Sequence, residues 1–305
     1  MSPRILGLSL AVFGVLLLSP DAALIRLFDG DSWTLIFWRT SGTFIVLGGL
    51  SLLWYRNGIL HYFRGLSRWA WPMVGMVGCG PLLWFWAVHL AGGPQSLALL
   101  AISPLIAAYA GWLMLGERLR WQTLAFGSIA FIGVLVIVWD GLATARVSWL
   151  GTLLTVLLPI NYSMTLVFSR KINRPNAWPI FGVGNLLLIP IAFIAAPTVM
   201  LSGPAQIWAI VPMVTAVATF SAALIILAAR YVPACDIMLI NTFEPVIGII
   251  FLWLIVSELP TVDQWIGGGI VLSAVLCFLI WQIKDENSQA KKVYRPYTLG
   301  QADAR

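Results

Sequence analysis

The chain consists of apolar runs of about 20 residues, separated by short breaks of charged residues, glycine and proline. A helix of that length crosses the hydrocarbon core of a bilayer. Marking the runs predicts ten transmembrane helices, with approximate limits 4–27, 33–54, 69–90, 94–115, 122–139, 149–169, 178–200, 207–229, 233–256 and 264–283. The sequence therefore predicts an all-α integral membrane protein.

The composition excludes an ordinary soluble domain. Hydrophobic residues make up 60% of the 305 positions and charged residues 10%, whereas soluble domains have about 25% charged residues. Twelve acids and eighteen bases cannot supply the charged surface that a soluble protein of this size needs. The net charge of +6 is spread over many loops rather than gathered on one face. We therefore expect the lipid bilayer, and not nucleic acid, as the partner.

An internal repeat connects the two halves of the chain. Pro104 and Glu117 recur as Pro245 and Glu258, and both pairs are 141 residues apart (245 − 104 and 258 − 117). The surrounding segments read ISPLIAAYAGWLMLGERL and FEPVIGIIFLWLIVSEL. An odd number of predicted spans separates the copies, so they enter the membrane with opposite polarity. Inverted repeats of this kind are typical of secondary transporters.

The repeat also predicts the domain organisation. Residues 1–141 are expected to form a first five-helix repeat, and residues 142–283 a second, inverted one. The only long hydrophilic segment is 284–305, which we expect to be a charged cytosolic tail without fixed structure.

Lysine and arginine predict the orientation of the spans. With both termini in the cytoplasm, fifteen of the eighteen bases lie on the inner side, as the positive-inside rule requires. This orientation places Glu117 at the inner surface, and we expect the membrane to be a bacterial inner membrane. Arg4 and the apolar run after it also resemble the start of a signal peptide. No small-x-small cleavage site follows, so we expect a retained first span.

The segments SPLIAAYAGWLMLGERLRWQTLAFGSIAFIGVLVI and TFEPVIGIIFLWLIVSELPTVDQWIGGGIVL resemble matching spans in the two halves of the drug/metabolite transporter superfamily, in its EamA-type branch. The shared pattern is a mid-span proline, a Gly-Glu-Arg-Leu or Ser-Glu-Leu at the helix end, and then a span containing glycine. Arg39 in FWRTSGTFIVL resembles an arginine often found early in the family's second span. The resemblance covers residues 4–283. It implies ten helices in two inverted five-helix halves around a central cavity, and transport of metabolites such as amino acids, amines or nucleotide sugars.

Three ionisable residues inside predicted spans are candidates for substrate binding or coupling, because a charge in the bilayer core is costly and needs a partner. Asp21 follows Pro20, and Arg39 lies at a similar depth. These two residues either pair to hold the first two spans together or face the substrate. Glu244 precedes Pro245 near the middle of the ninth span. It either carries a proton, binds an amino group of the substrate, or is a protonated group bonded to a backbone carbonyl.

Further candidates are polar or aromatic side chains close to those charges or to helix-breaking prolines. They are Trp84, Trp86, His89, Tyr109, Asn161, Tyr162 and Asn241. The aromatic rings could stack on a planar or cationic ligand, although Trp86 and His89 fit an interfacial aromatic belt equally well. The prolines expected to act as flexible points are Pro20, Pro104, Pro159 and Pro245.

These features favour a secondary transporter, and specifically an exporter of amino acids, amines or related small metabolites that works by alternating access. Either proton coupling through Glu244 or Asp21, or the gradient of the substrate itself, would drive it. An integral-membrane enzyme or a channel is the alternative, but the chain has two histidines, no HExxH or GxSxG motif and no filter-like segment. We expect no cofactor and no metal site, and either a monomer or a homodimer.

Overall fold

A computed structural model describes residues 3–28, 30–91, 96, 99–117, 120–139, 149–172, 177–196, 206–257 and 259–294. These residues are mostly helical and include no β-strand. Their α-helices, in chain order, are α1 (Pro3–Leu18), α2 (Asp21–Arg26), α3 (Ser32–Tyr55), α4 (Ile59–Arg64), α5 (Ala70–Ala91), α6 (Ser103–Leu115), α7 (Trp121–Ile137), α8 (Trp149–Lys171), α9 (Trp178–Ala195), α10 (Val211–Ala228), α11 (Ala234–Asn241), α12 (Glu244–Phe251) and α13 (Val262–Tyr294). A 3-10 turn follows α3 at Arg56–Gly58, and π-helical turns flank α10 at Gln206–Ile210 and α12 at Leu252–Val256.

Eight helical segments in the described part of the chain are long and apolar enough to cross a membrane. They are Pro3–Ile25, Ser32–Tyr55, Ala70–Ala87, Trp149–Lys171, Trp178–Ala195, Gln206–Ala228, Ala234–Ile255 and Val262–Asp285. Each coincides with a predicted span. The other two predicted spans, 94–115 and 122–139, contain the shorter apolar helices α6 and α7. The protein is therefore a bundle of membrane helices.

Three of the spans are interrupted, and a proline lies at each interruption. α1 ends at Leu18, and Pro20 immediately precedes α2. Pro104 lies in the first turn of α6 and Pro245 in the first turn of α12. Proline has no N–H to donate, so it suits the first turn of a helix, where that N–H has no partner within the helix, and removes one hydrogen bond from a helix interior. These two prolines therefore begin new helices, whereas Pro159 lies inside the continuous helix α8.

The backbone around α6 and α12 repeats with the sequence. Turns at 101–102 and 242–243 precede the two helices, again 141 residues apart. Gly116 ends α6 with φ of 68°, and Ser257 ends the π-helical turn after α12 with φ of 61°. A left-handed residue is a common helix C-cap, and glycine adopts this conformation more easily than serine. Both copies of the repeat thus start and end with the same local geometry.

Two pairs of helices occupy equivalent positions in the 141-residue sequence repeat and pack against each other. In each pair the two helices run antiparallel. On α3 and α9, Phe37 packs against Phe193 and Trp54 against Trp178, with ring centroids 5.8 and 5.9 Å apart. Residue numbers rise along one helix while they fall along the other, so the two helices point in opposite directions.

The equivalent pair α7 and α13 is also antiparallel, and it makes a close backbone contact. Phe126 packs against Phe278 with ring centroids 6.1 Å apart, and seven residues further along α7, Gly133 meets Gly267. A Cβ atom added to Gly267 would lie 2.5 Å from the Gly133 carbonyl oxygen, and one added to Gly133 would lie 2.8 Å from Val271 Cγ2. Small residues at helix interfaces allow this kind of close packing in membranes.

Two large apolar clusters fill one end of the bundle. We call it the Arg170 end, because α8 reaches that residue there. Leu166 and Met238 belong to the first cluster, and Ile226 belongs to the second. The opposite end, where α3 begins after Asp31, has three smaller clusters. The bundle is therefore packed more extensively at the Arg170 end.

The last helix extends beyond its predicted limit at residue 283. α13 continues to Tyr294, through a segment that the sequence assigned to a tail without fixed structure. The reason is local, since residues 284–294 contain no glycine or proline and several good helix formers. Residues 295–305 lie outside the described residues.

Gly267→Ala is expected to destabilise the protein, because the new methyl group would overlap the backbone of α7. Overpacking of this kind costs about 1–3 kcal/mol, which would lower the Tm of the purified protein in detergent. Gly269→Ala is the matched control, since a Cβ atom there meets nothing within 4 Å. Equal melting temperatures for the two variants would contradict the close contact between α7 and α13.

Candidate functional site

A cavity of about 250 Å³ lies inside the bundle, where the three interrupted spans meet α3, α5, α8, α9 and α10. Its lining is largely apolar, but charged side chains also face it: Asp21, Arg39 and Glu244. The interrupted spans explain this position, because Asp21 and Glu244 both lie in the first turn of the helix that follows a break. The structure thus brings together all three ionisable residues that the sequence singled out.

The three charged residues form one electrostatic group. An Arg39 Nη1 atom donates a hydrogen bond to Asp21 Oδ2 over 2.9 Å, which joins α3 to α2. Glu244 lies close enough to interact electrostatically with both members of this pair, and with Tyr162. The group therefore contains two carboxyl groups and one guanidinium group. When both carboxyl groups are ionised, one negative charge remains without a balancing cation within the group.

Polar side chains from α8, α11 and α5 surround this charged group. Asn161 and Tyr162 line the cavity, and the Asn161 side-chain amide donates a hydrogen bond to the Met76 carbonyl oxygen over 3.1 Å. Asn241, on the last turn of α11, also lines the cavity, and its buried Oδ1 atom has no hydrogen-bond partner among the described residues. Trp84 contributes an aromatic wall. These four side chains had been selected from the sequence.

Other residues selected from the sequence lie outside the cavity lining. Trp86 is 39% exposed and packs edge-on against Trp33. Tyr109 is 59% exposed and packs against Trp112, on the outside of the bundle. The side chain of His89 lies outside the described residues. Among the prolines, Pro245 lines the cavity, whereas Pro20, Pro104 and Pro159 are not part of its lining.

Several uncharged polar residues line the cavity but were not selected from the sequence. They are Thr43, Ser103, Thr165, Asn185, Ser221 and Thr242. One signal was available for Thr165, which lies four residues after Asn161 and hence on the same face of α8. No comparable signal identified Ser221 on α10, because small polar residues are ordinary at helix contacts in membranes.

Ionic and polar contacts join several helices at the Arg170 end. Arg170 forms a salt bridge with Glu117 over 2.7 Å, which connects α8 to the residues after α6. Arg170 also donates hydrogen bonds to the carbonyl oxygens of Ala229 and Val232, beyond α10. Lys171 donates to the Met114 carbonyl oxygen over 3.1 Å. We call this group of contacts the Arg170 lock.

Asp236 is a buried acid that sequence reasoning missed. Its side chain is fully buried near the start of α11 and accepts hydrogen bonds from Gln282 over 2.7 Å and from Thr123 over 3.2 Å. Arg4 lies 3.8 Å from the same carboxylate. These contacts connect α1, α7, α11 and α13. The available signal was an ionisable residue inside the predicted span 233–256.

Among the described residues, no group of three His, Cys, Asp or Glu side chains could hold a metal ion.

Comparisons with known proteins agree on the class of fold. Residues 5–139 match the EamA-like transporter family. A solved structure described only as "Crystal structure of protein" superposes with a TM-score of 0.72 at 16% sequence identity, covering 89% of this chain and 96% of that chain. At such low identity the likeness concerns the fold alone. No curated protein matches the chain.

Removing one partner of the Asp21–Arg39 pair is expected to destabilise the protein more than removing both. The side chains of Asp21 and Arg39 are 11% and 20% exposed, and an unpaired charge at a buried site costs about 3 kcal/mol. Asp21→Asn removes the acceptor of the Arg39 hydrogen bond, and Arg39→Gln leaves both carboxyl groups without a cation. Each should therefore lower the Tm of the purified protein, and the double variant should recover part of the loss. Additive effects of the two substitutions would contradict a direct interaction.

Proposed function

We propose that the chain is a member of the EamA-like transporter family of the drug/metabolite transporter superfamily, because its residues 5–139 match the model of that family. On that premise we propose that it is a secondary transporter that exports small metabolites carrying an amino group, amines and amino acids among them. The observation that carries this proposal is the charged group in the cavity. Asp21, Arg39 and Glu244 face a largely apolar space of about 250 Å³ inside a membrane bundle.

The chemistry of that group suits a cationic substrate. The Asp21–Arg39 hydrogen bond balances one carboxylate, which leaves Glu244 to attract either a proton or a positively charged amino group. Aromatic rings such as Trp84 and Tyr162 line the same space and would favour a cation electrostatically. A proton and an ammonium group compete for one carboxylate. The site would therefore release its substrate when it is protonated, which couples export to proton entry.

We further propose that the bundle works by alternating access between two inverted halves. The antiparallel contacts of α3 with α9 and of α7 with α13 support this arrangement, because they join helices that the 141-residue repeat makes equivalent. The interrupted spans begin new helices at Pro20, Pro104 and Pro245, near the cavity. Breaks of this kind are typical of transporter binding sites. They would let the ends of these spans move independently.

In this mechanism the Arg170 end faces the cytoplasm, as the distribution of bases predicts, and is closed in the described conformation. Leu166, Ile226 and Met238 line the cavity and also belong to the apolar clusters that fill this end. Beyond them, the Arg170 lock joins α6, α8 and the residues after α10. Opening towards the cytoplasm would separate the two clusters and break the lock. The membrane that we propose is a bacterial inner membrane.

Glu244→Gln is expected to abolish transport or to remove its dependence on the proton gradient, because glutamine keeps the shape but carries neither charge nor an exchangeable acid proton. The measurement is uptake of labelled amines and amino acids into sealed vesicles with an imposed pH gradient. Asp263→Asn, at the start of α13 and away from the cavity, is the matched control. Unchanged uptake and unchanged pH dependence in Glu244→Gln would contradict the proposed role.

Glu117→Gln is expected to open the cytoplasmic side more often, because it weakens the Arg170 lock. A single cysteine replacing Met238 at the cavity wall, in a background without the native cysteines, reports access by its rate of reaction with a membrane-impermeant maleimide. That rate should rise about threefold to tenfold from the cytoplasmic side. Arg68→Gln, an exposed base at the same end of the bundle, is the control. No difference between these two variants would show that the lock does not hold the cytoplasmic side closed.

A further inference from the structure

Two hydroxyl groups on residues that line the cavity lack the hydrogen bond that most other hydroxyl groups in the bundle make. Hydroxyl side chains within membrane helices usually bond a carbonyl oxygen of their own helix. That pattern holds at Thr40, Ser51 and Thr155, with oxygen–oxygen distances of 2.6–2.7 Å. By contrast, the buried Thr165 Oγ1 and Ser221 Oγ atoms have no hydrogen-bond partner among the described residues.

Both of these residues line the cavity, whereas Ser41, whose hydroxyl is likewise unsatisfied in the described ranges, does not. Ser221 is 1% exposed and lies on α10 where that helix contacts α1, since a Cβ atom added to Gly14 would be 3.3 Å from the Ser221 carbonyl oxygen. A buried polar group without a partner costs about 1–3 kcal/mol. A ligand that supplies the missing partner would recover that free energy.

The two hydroxyls lie nearer to the Arg170 end than the charged group does. Thr165 is six residues from the end of α8 and Ser221 is seven from the end of α10, which is about 10 Å at 1.5 Å per residue. Glu244 is ten residues from the start of α11, or about 15 Å. The lining residues at the level of the hydroxyls include Leu166, Ala222 and Ile226 and carry no charge. We call this part the cavity floor.

We propose that the cavity floor is a specificity subsite, where Thr165 and Ser221 bind an uncharged hydroxyl, carbonyl or amide group of the substrate while its amino group lies at Glu244. The inference rests on the proposed function and deepens it by naming the substrate class. That class is a small bifunctional amine, with an apolar body that spans the cavity and a neutral hydrogen-bonding group at its far end. A simple alkyl or aryl amine would leave both hydroxyls unsatisfied, and it is therefore the weaker ligand.

The test compares 2-phenylethylamine with tyramine, which differ by one hydroxyl group at the end remote from the ammonium group. Binding to the purified full-length protein is measured by isothermal titration calorimetry. Wild-type protein should bind tyramine about threefold to tenfold more tightly, the effect of one net hydrogen bond. Ser221→Ala and Thr165→Val should each reduce that preference and leave the affinity for 2-phenylethylamine unchanged. Ser273→Ala is the control, because that hydroxyl is exposed and bonds carbonyl oxygens of its own helix at 2.8 and 2.9 Å.

The outcomes separate this subsite from the proposed function. An unchanged preference for tyramine in both variants, or an equal loss of affinity for both amines, would overturn the subsite. If Glu244→Gln leaves the affinity for both amines unaltered, the proposed function is overturned but the subsite is not. Failure of wild-type protein to bind either amine would overturn both.

Discussion

The structure depends on how it accommodates charge in a medium that does not solvate charge. A lone carboxylate or guanidinium group in the bilayer core is costly, so each must find a partner or face a polar space inside the protein. Here the Asp21–Arg39 hydrogen bond holds the break of the first span against the second span, and Glu244 lies in the same electrostatic group. Shielding these charges from lipid requires a ring of helices around them. The three charged residues face the central cavity inside that ring.

The helix breaks allow acidic side chains to be placed inside the bundle. In the interior of a helix the backbone N–H and carbonyl groups form hydrogen bonds with each other. The start of a helix instead presents free N–H groups and a partial positive charge. Asp21 and Glu244 lie in first turns of that kind, where a negative side chain is favoured. The prolines that interrupt the spans therefore also create the helix starts at which the two acids are favoured. The helix breaks thus determine both a feature of the fold and the position of the acids in the site.

Much of this could be predicted from the sequence, because the signals are local. The apolar runs located the spans. Ionisable residues inside spans identified Asp21, Arg39 and Glu244, and a polar residue near a proline identified Asn161; the structure places all four around one cavity. What could not be predicted depends on packing between distant segments. Thr165 and Ser221 resemble ordinary small polar residues until α8 and α10 are placed beside the same cavity. The exposed position of Tyr109 on α6 likewise depends on which face of that helix its neighbours cover.

The two copies of the repeat differ at one informative position. Ser103 begins α6 where Glu244 begins α12, so the acid belongs to one half of the bundle alone. In the proposed mechanism, each half adopts in turn the conformation of the other as the pathway opens to opposite sides. This exchange reproduces the shape of the pathway but not its electrostatic potential. A positively charged solute would then be held with unequal strength when the pathway faces opposite sides. A nearly symmetric scaffold thereby acquires a built-in polarity, and one side chain at one helix start is enough to supply it.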